Sequence, residues 1–254
     1  MPNEKASAGA LSAAAQKELV ARFAVDDLVR RGLLRAGMKL GLGTGSTAMP
    51  AVRRIAELMK EGVLAGIRAV PTSFQTAIAC EDLGIPAYSM NAREIGGSLD
   101  LAIDGADEAT PEGHLIKGGG AALLLEKIVA YNAARFVIVA DSSKAVDHLG
   151  TAFALPVEVI PEARVSVAAA LARLGATAVL REGVRKAGPV VTDNGNLILD
   201  CTWARRADGS SPVNPPEMED TVNAIVGVVE NGLFTKNPPI IYVARADGTV
   251  ESRI

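Results

Sequence analysis

The chain has 254 residues, of which 49% are hydrophobic and 22% charged, a balance typical of one large globular domain or one domain plus a small second one. A net charge of −3 argues against a general nucleic-acid binder, and no apolar run approaches the roughly 18 residues that a membrane span needs. The first ten residues lack the charged-then-apolar order of a signal peptide, so we expect a frayed, alanine-rich start and a cytoplasmic protein.

Up to residue 141, short apolar runs alternate with helical patterns. The apolar runs cover residues 38–43, 67–71, 99–104 and 135–140, and the helical patterns cover residues 49–60, 74–83 and 121–133. Strands and helices alternating at this spacing predict an α/β fold with a mostly parallel sheet covered on both faces. Right-handed crossovers then place the C-terminal ends of the strands along one edge of the sheet.

From about residue 151 the pattern changes to that of a small α+β unit with antiparallel strands. It predicts strands at residues 156–160 and 177–182, helices at 163–174 and 217–226, and apolar runs at 190–192, 197–201 and 228–234. Between two of these runs, Asn194-Gly195 is a strong hairpin signal. Residues 240–244 are a candidate for a return to the main sheet, and the Gly-, Ser- and Pro-rich residues 205–216 indicate an exposed loop.

The cysteines and histidines give little indication of site chemistry. Cys80 and Cys201 lie far apart and in no CxxC spacing, which favours small buried hydrophobic residues in a reducing compartment over a disulfide or a reactive thiol. Only His114 and His148 are present, and no Cys/His cluster suggests a metal site.

The first segment suited to ligand binding follows a strand and opens a helix: Gly41-Leu42-Gly43-Thr44-Gly45-Ser46-Thr47. Glycines allow a tight turn and a close approach to a ligand, and a helix N-terminus presents unpaired N–H groups to an anion. The hydroxyl groups of Ser46 and Thr47 also suit a phosphate. A dinucleotide fingerprint would need a third glycine at Ser46, and a P-loop would need Gly-Lys-Ser/Thr. The alternative is a tight turn without a ligand.

The second segment is Asp104-Gly105-Ala106-Asp107-Glu108, where a buried strand runs into three carboxylates. Ligands of open α/β sheets bind beyond the strand C-termini, and clustered carboxylates raise one another's pKa, which suits proton handling. The alternative is an acidic turn whose aspartates cap a following helix.

The third segment, Lys117-Gly118-Gly119-Gly120, precedes the helix that contains Glu126. Consecutive glycines carry an entropic cost but let backbone N–H groups close around an oxyanion, to which Lys117 adds a point charge. A fourth segment, Asp141-Ser142-Ser143-Lys144, again follows a strand, so that Lys144 is within reach of an anion. Taken alone, a helical Glu such as Glu126 is more often a solvated surface residue, and Lys144 is equally compatible with a surface lysine after a strand.

All four segments fall at strand C-terminal ends or on helices that leave from them. They bring an anion-binding loop, carboxylates and lysines to one edge, without a nucleophile–His pair, a metal-ligand set or a cofactor motif. We therefore predict acid–base chemistry on a small phosphorylated substrate.

At this point the sequence resembles the A-type ribose 5-phosphate isomerase family. The matching segments cover about residues 38–234 in family order: GLGTGSTA, VPTSFQT, DLAIDGADE, LIKGGGAALLLEKIVA, VIVADSSK, LPVEVIP, VVTDNGNLILD and GVVENGLF. The resemblance implies a Rossmann-like domain (residues 1–150 plus 228–254) with an inserted ferredoxin-like α+β lid domain (151–227). It also implies no metal, no cofactor, a sugar phosphate substrate and a homo-oligomer, either dimer or tetramer.

The resemblance further implies roles for individual residues. Glu126 would be the base that shuttles the proton, Lys117 would stabilise the charged intermediate, and Asp104 and Asp107 would contact the sugar and assist ring opening. The remaining substrate-binding positions are Thr44, Gly45, Ser46, Thr47, Gly105, Ala106, Gly118, Gly119, Gly120 and Lys144. Lys17 is a weaker match to a phosphate-contacting lysine.

Two departures from the family pattern concern other positions. Leu125 stands where many members carry Arg or Gln, which hardly affects the chemistry, and residues 185–189 and 205–216 look longer than in the shorter members.

Two other classes of function are alternatives to the isomerase. A non-catalytic sugar-phosphate sensor would need a DNA-binding helix-turn-helix and a basic face, and a related acyl-CoA transferase would place a nucleophilic Glu in a different loop.

Overall fold

A computed structural model describes residues 10–205 and 211–253. Its α-helices are α1 (Ala13–Arg30), α2 (Gly45–Lys60), α3 (Phe74–Leu83), α4 (Leu123–Tyr131), α5 (Arg164–Arg173) and α6 (Pro215–Asn223). Its strands are β1 (Lys39–Leu42), β2 (Arg68–Pro71), β3 (Leu101–Gly105), β4 (Glu108–Ala109), β5 (Leu115–Ile116), β6 (Phe136–Asp141), β7 (Leu155–Val159), β8 (Ala176–Leu180), β9 (Leu197–Trp203), β10 (Val228–Asn231), β11 (Leu233–Phe234), β12 (Ile240–Ala244) and β13 (Val250–Arg253).

The main sheet has the order β13-β12-β6-β3-β1-β2, and every neighbouring pair is parallel except β12 with β13. Successive residues of β6 face opposite sides: Val137 and Val139 pack in one core with α1 and α2, whereas Ile138 and Ala140 pack in a second core with α4. The mostly parallel α/β fold with both faces covered is thus confirmed, and so is the return of residues 240–244, which pair with β6 as β12.

The second half of the chain forms an antiparallel sheet of the order β10-β7-β9-β8, beside a short sheet of the order β11-β5-β4. The helix and strand predicted at residues 163–174 and 177–182 are found as α5 and β8. The predicted chain reversal is also present, since Gly195 N donates to Thr192 O at 2.9 Å. Its first arm is no strand, however, because Val191 forms only an isolated bridge to Leu197.

The apolar run at residues 228–234 contains two strands rather than one. β10 pairs with β7 in the smaller sheet, and β11 pairs with β5. Between them Gly232 N donates to Pro156 O at 2.8 Å, and a Cβ at this glycine would lie 2.3 Å from Lys117 O. The division of the chain into two domains remains a prediction, and the pairing of β10 gives residues 228–231 to the antiparallel sheet.

Several other expectations concern residues away from the sheets. Cys80 and Cys201 are free and buried, as predicted, and burial raises the pKa of their thiols to about 11 and about 12. No helix in the two described ranges is long and apolar enough to cross a membrane. The frayed start predicted for the first ten residues lies outside the described residues, except for Ala10. Residues 206–210 of the predicted exposed loop also lie outside them.

Gly41 on β1 sets how closely α4 approaches the main sheet. A Cβ at this position would lie 2.2 Å from Val129 Cγ1 and 2.9 Å from Ala102 Cβ. Since Val129 is one turn from Glu126 on α4, the missing side chain at Gly41 lets that turn of the helix lie close to the strands.

Replacing Gly41 with Ala should therefore destabilise the fold. Overpacking of this kind costs about 1–3 kcal/mol of unfolding free energy, to be measured by denaturant titration. Gly105→Ala on β3 is the matched control, because its Cβ would meet only an ordinary contact of 3.4 Å with Thr47 Cβ. Equal stability of the two variants would contradict this account of the packing.

Candidate active site

A cleft opens at the C-terminal edge of the main sheet, where β1, β3 and β6 end. Its lining consists of the following residues: Lys17, Thr44, Gly45, Ser46, Thr47, Gly105, Ala106, Asp107, Lys117, Gly118, Gly119, Gly120, Glu126 and Lys144. Of the positions proposed from sequence, Asp104 alone is absent from this lining, and it lies in direct contact with Lys117 beneath it. The structure therefore brings the four sequence segments together.

The centre of the cleft is the Lys117 ammonium group, which is shared by two carboxyl groups. Lys117 Nζ lies 2.8 Å from Asp104 Oδ2 and 3.3 Å from Glu126 Oε2, and it donates to Gly105 O at 2.6 Å. All three side chains are at most 5% exposed. Two carboxyl groups and one ammonium in so little water form a strongly coupled proton-binding unit.

Asp104 is fixed by the backbone of two strand ends. Its Oδ1 accepts hydrogen bonds from Gly105 N at 2.7 Å and from Thr44 N at 3.1 Å. Gly43 leaves the necessary space, because a Cβ there would lie 1.9 Å from Asp104 Oδ1. Gly43 is thus the residue whose missing side chain makes room for the carboxylate of Asp104.

Asp107 holds the glycine loop by a backbone contact. Gly119 N donates to Asp107 Oδ2 at 2.8 Å, and a Cβ at Gly119 would come within 2.6 Å of Asp107 Oδ1. Gly118 has a φ of +103°, a conformation that strongly favours glycine. Steric constraints therefore explain why two of the three consecutive residues, Gly118 and Gly119, are glycines.

Glu126 reaches the cleft from the first turn of α4. Burial raises the pKa of its carboxyl to about 7; Lys117 opposes this shift, whereas the charges of Asp104 and Asp107 add to it. Within the described part of the chain, Oε2 has no hydrogen bond of good geometry, despite its 3.3 Å approach to Lys117 Nζ. A carboxyl group with these properties can take up and release a proton near neutral pH.

The pKa values of Lys117 and Asp104 are raised as well, each for a different reason. Burial by itself would lower the pKa of Lys117, but the carboxylates of Asp104 and Glu126 outweigh burial and raise it, so the ammonium keeps its charge. Burial raises the pKa of Asp104, and Lys117 partly opposes that shift. The fixed positive charge therefore sits between two carboxyl groups that are harder to ionise than in water.

The predicted anion loop forms the other end of the cleft. Gly45 begins α2 with a φ of +92°, so the N-terminus of a helix, which carries unpaired N–H groups, lies at this end of the cleft. The N–H of Gly45 itself donates to Gln75 Oε1 at 3.0 Å. Lys17 Nζ donates to Ser46 Oγ at 3.0 Å, which places the weaker candidate of the sequence in the same cleft. Half-buried Lys144, which follows β6, adds a further positive charge.

Glu108 does not join the other two carboxylates of its segment. It is fully buried and accepts hydrogen bonds from the backbone N–H groups of Gly150, Ala152 and Phe153. Glu108 is therefore not part of the cleft lining, and its carboxylate holds the loop before β7 instead.

Two groups of residues around the site were missed by the sequence reasoning. Thr44 Oγ1 lies 2.7 Å from both Thr72 Oγ1 and Ser73 Oγ, and Thr76 Oγ1 donates to Gly43 O at 2.8 Å. The run of hydroxyl residues directly after β2 was the available signal for this group. Arg181, which donates to carbonyl oxygens of the glycine loop, comes from the smaller sheet and gave no local signal.

Comparison with known proteins agrees with this geometry. The family described as ribose 5-phosphate isomerase A (phosphoriboisomerase A) matches residues 68–248. Ribose-5-phosphate isomerase A of Treponema denticola is 58% identical over 92% of this chain and 97% of its own length. The Treponema pallidum protein of the same name is 56% identical over 96% and 94%.

Solved structures give the same result. A D-ribose-5-phosphate isomerase in complex with phospho-erythronic acid has a TM-score of 0.85 and 37% identity, and the match covers 96% of this chain and 99% of that one. Ribose 5-phosphate isomerase A from Methanocaldococcus jannaschii has a TM-score of 0.83 and 40% identity, with coverage of 95% and 100%. Because the family match covers most of its length and the matches to close relatives cover more than nine-tenths of both chains, the chain belongs to the ribose 5-phosphate isomerase A family.

Proposed function

We propose that this protein interconverts D-ribose 5-phosphate and D-ribulose 5-phosphate by moving a proton between C1 and C2 through an enediolate intermediate. The observation that carries the proposal is the buried Glu126 carboxyl group, whose pKa is raised to about 7, beside a permanently charged ammonium group in a cleft with an anion-binding loop. Family membership supports the same reaction, which belongs to the non-oxidative pentose phosphate pathway.

Substrate binding would begin at the positively charged end of the cleft. The phosphate would accept hydrogen bonds from the loop Thr44, Gly45, Ser46 and Thr47, with Lys17 and Lys144 supplying charge. The sugar would then extend toward Asp104 and Asp107, which would assist ring opening to the aldehyde. Gly105 and Ala106 would form the floor between the two carboxylates.

Proton transfer would be the task of Glu126. Its carboxylate would remove the C2 proton of the open aldose and return a proton to C1, while the hydroxyl proton of O2 moves to O1, which gives the ketose. A pKa near 7 suits both steps, because the same group must accept and then release the proton at neutral pH. General acid–base catalysis of this kind contributes roughly 10²–10⁴-fold to the rate.

Stabilisation of the enediolate would fall to Lys117 and the glycine loop. The intermediate is negative on oxygen, and Lys117 Nζ together with N–H groups of residues 118–120 would face that charge. Preorganised donors in a site protected from water are worth about 3–4 kcal/mol each. The phospho-erythronic acid of the related structure fits this charge pattern, since it carries both an acid group and a phosphate.

The wider setting of the reaction is also proposed. We infer that the enzyme works in the cytoplasm as a homo-oligomer, a dimer or a tetramer, without a metal or a cofactor. The two free buried cysteines support a reducing compartment, and the family pattern supports the assembly and the metal-free reaction.

The reaction itself is tested by product formation. Purified protein should form ribulose 5-phosphate from ribose 5-phosphate at the same rate with and without excess chelator, because side chains alone supply the acid, the base and the positive charge. Rate loss with chelator, restored by added metal, would overturn the mechanism. Tight binding of the sugar phosphate without turnover would favour the sensor alternative.

Glu126→Gln should keep substrate binding and lose at least about 10²-fold in kcat, because the amide cannot carry the proton while Lys117 keeps Asp104 as its partner. The measurements are initial rates and calorimetric binding of ribose 5-phosphate. Glu81→Gln is the control, since Glu81 is exposed on α3 and is not part of the cleft lining. More than about a tenth of the wild-type rate in Glu126→Gln would remove Glu126 from this role.

The pH dependence should report the raised pKa of Glu126. The base acts when ionised, so kcat/KM should rise about tenfold per pH unit up to about pH 7 and level off above it. The substrate phosphate titrates near pH 6, so the profile of kcat, which follows the bound complex, should be recorded as well. Constant rates from pH 5.5 to 8 would contradict a raised Glu126 pKa.

A further inference from the structure

Arg181 follows β8 of the smaller sheet, and its side chain reaches the back of the glycine loop. Its Nη1 donates to Gly118 O at 2.9 Å and to Gly119 O at 3.1 Å. Its Nε donates to Asp200 Oδ2 at 2.8 Å, and its Nη2 donates to Asp200 Oδ1. One guanidinium group thus joins a carboxylate of the antiparallel sheet to two consecutive carbonyl groups of the active-site loop.

These two carbonyl contacts help to fix the direction of the loop N–H groups. Gly118 O also accepts a hydrogen bond from Ala121 N at 3.0 Å, whereas Arg181 is the donor to Gly119 O. The peptide bonds are trans, so the N–H of each peptide unit points away from its carbonyl oxygen. Because both carbonyl oxygens point at Arg181, the N–H groups of Gly119 and Gly120 point to the opposite side. Gly119 N confirms this, since it donates to Asp107, which lines the cleft.

The loop needs such a restraint because its residues have little conformational preference of their own. Gly118, Gly119 and Gly120 can each rotate into backbone conformations that other residues avoid. A rotation of the 119–120 peptide would turn a carbonyl oxygen toward the substrate, and that partial negative charge would repel an anionic intermediate. A contact that captures both carbonyl oxygens on the far side excludes this arrangement.

The Arg181 side chain has the geometry needed to hold a carboxylate and two carbonyl oxygens at once. A guanidinium group presents planar, divergent donors, so it can hold Asp200 with one edge and the carbonyl oxygens with another. The Arg181 and Asp200 side chains are 14% and 27% exposed, so water competes only partly for these bonds. A lysine ammonium group, as a point charge, cannot satisfy both edges together.

We propose that Arg181 is a positioning residue for the isomerisation: by holding the carbonyl groups of Gly118 and Gly119, it keeps the N–H group of Gly119 on Asp107 and the N–H group of Gly120 directed at the cleft, where the enediolate oxygen forms. This inference rests on the proposed function. The phosphate would bind at the N-terminus of α2 rather than at the glycine loop, although Gly120 lies beside Thr44. Losing the restraint should therefore affect the intermediate and leave ground-state binding largely unchanged.

The test is Arg181→Met, with Arg173→Met on the exposed face of α5 as the control. We expect kcat to fall roughly 10–100-fold in Arg181→Met, with KM for ribose 5-phosphate within about threefold of wild type. Phospho-erythronic acid should bind more weakly by about the same factor as kcat/KM, while inorganic phosphate binds as in wild type. Arg173→Met should match wild type in every measurement.

Arg181→Lys provides a second measurement, which also serves if Arg181→Met does not fold. It should show a reduced kcat at an unchanged KM, since it cannot hold Asp200 and both carbonyl groups at once. A wild-type kcat in either folded variant, or a raised KM at unchanged kcat, would overturn the positioning role. If the wild-type protein itself does not isomerise ribose 5-phosphate, the proposed function fails, and unchanged binding of phospho-erythronic acid to the variants would then reject the role of Arg181 separately.

Discussion

The site depends on one buried ammonium group placed between two buried carboxyl groups. Removing Lys117, Asp104 and Glu126 from water costs several kcal/mol per ion, which their mutual attraction and hydrogen bonds must offset. Asp104 receives most of that compensation, because it accepts bonds from Lys117 and from two backbone N–H groups. Burial nevertheless raises the pKa of both carboxyl groups, and it brings the pKa of Glu126 to about 7, where a proton can move both ways.

The main sheet supplies this arrangement by bringing strand ends together. Parallel neighbours β1 and β3 end side by side, which sets Gly43 against Asp104 and the anion loop beside the carboxylates. Lys117 comes instead from the chain after the short strand β5, and its backbone N–H donates to Gly232 O at 2.9 Å. The charged centre therefore depends on segments more than 100 residues apart in the chain.

The antiparallel half of the structure is linked to the site by buried polar contacts. Lys127, next to Glu126 on α4, donates to Glu219 at 3.2 Å and to Glu230 at 2.9 Å, which ties the helix of the base to α6 and β10. The Phe234 ring lies between the two lysines, with centroid distances of 5.5 Å to Lys117 Nζ and 4.9 Å to Lys127 Nζ. Together with Arg181, these contacts make the smaller sheet part of the frame of the cleft.

The sequence by itself determined the α/β class, the approximate strands and helices and the four segments that meet in the cleft, because hydrophobic periodicity and glycine-rich turns are local properties of the chain. It also placed Glu126 and Lys117 in one site. It did not separate Glu108 from Asp104 and Asp107, since which way a strand-end carboxylate faces depends on the partner strand. The contacts of Arg181, the split of residues 228–234 and the pKa of Glu126 were decided by the tertiary structure alone, because each depends on groups that are distant in sequence and on how completely packing excludes water.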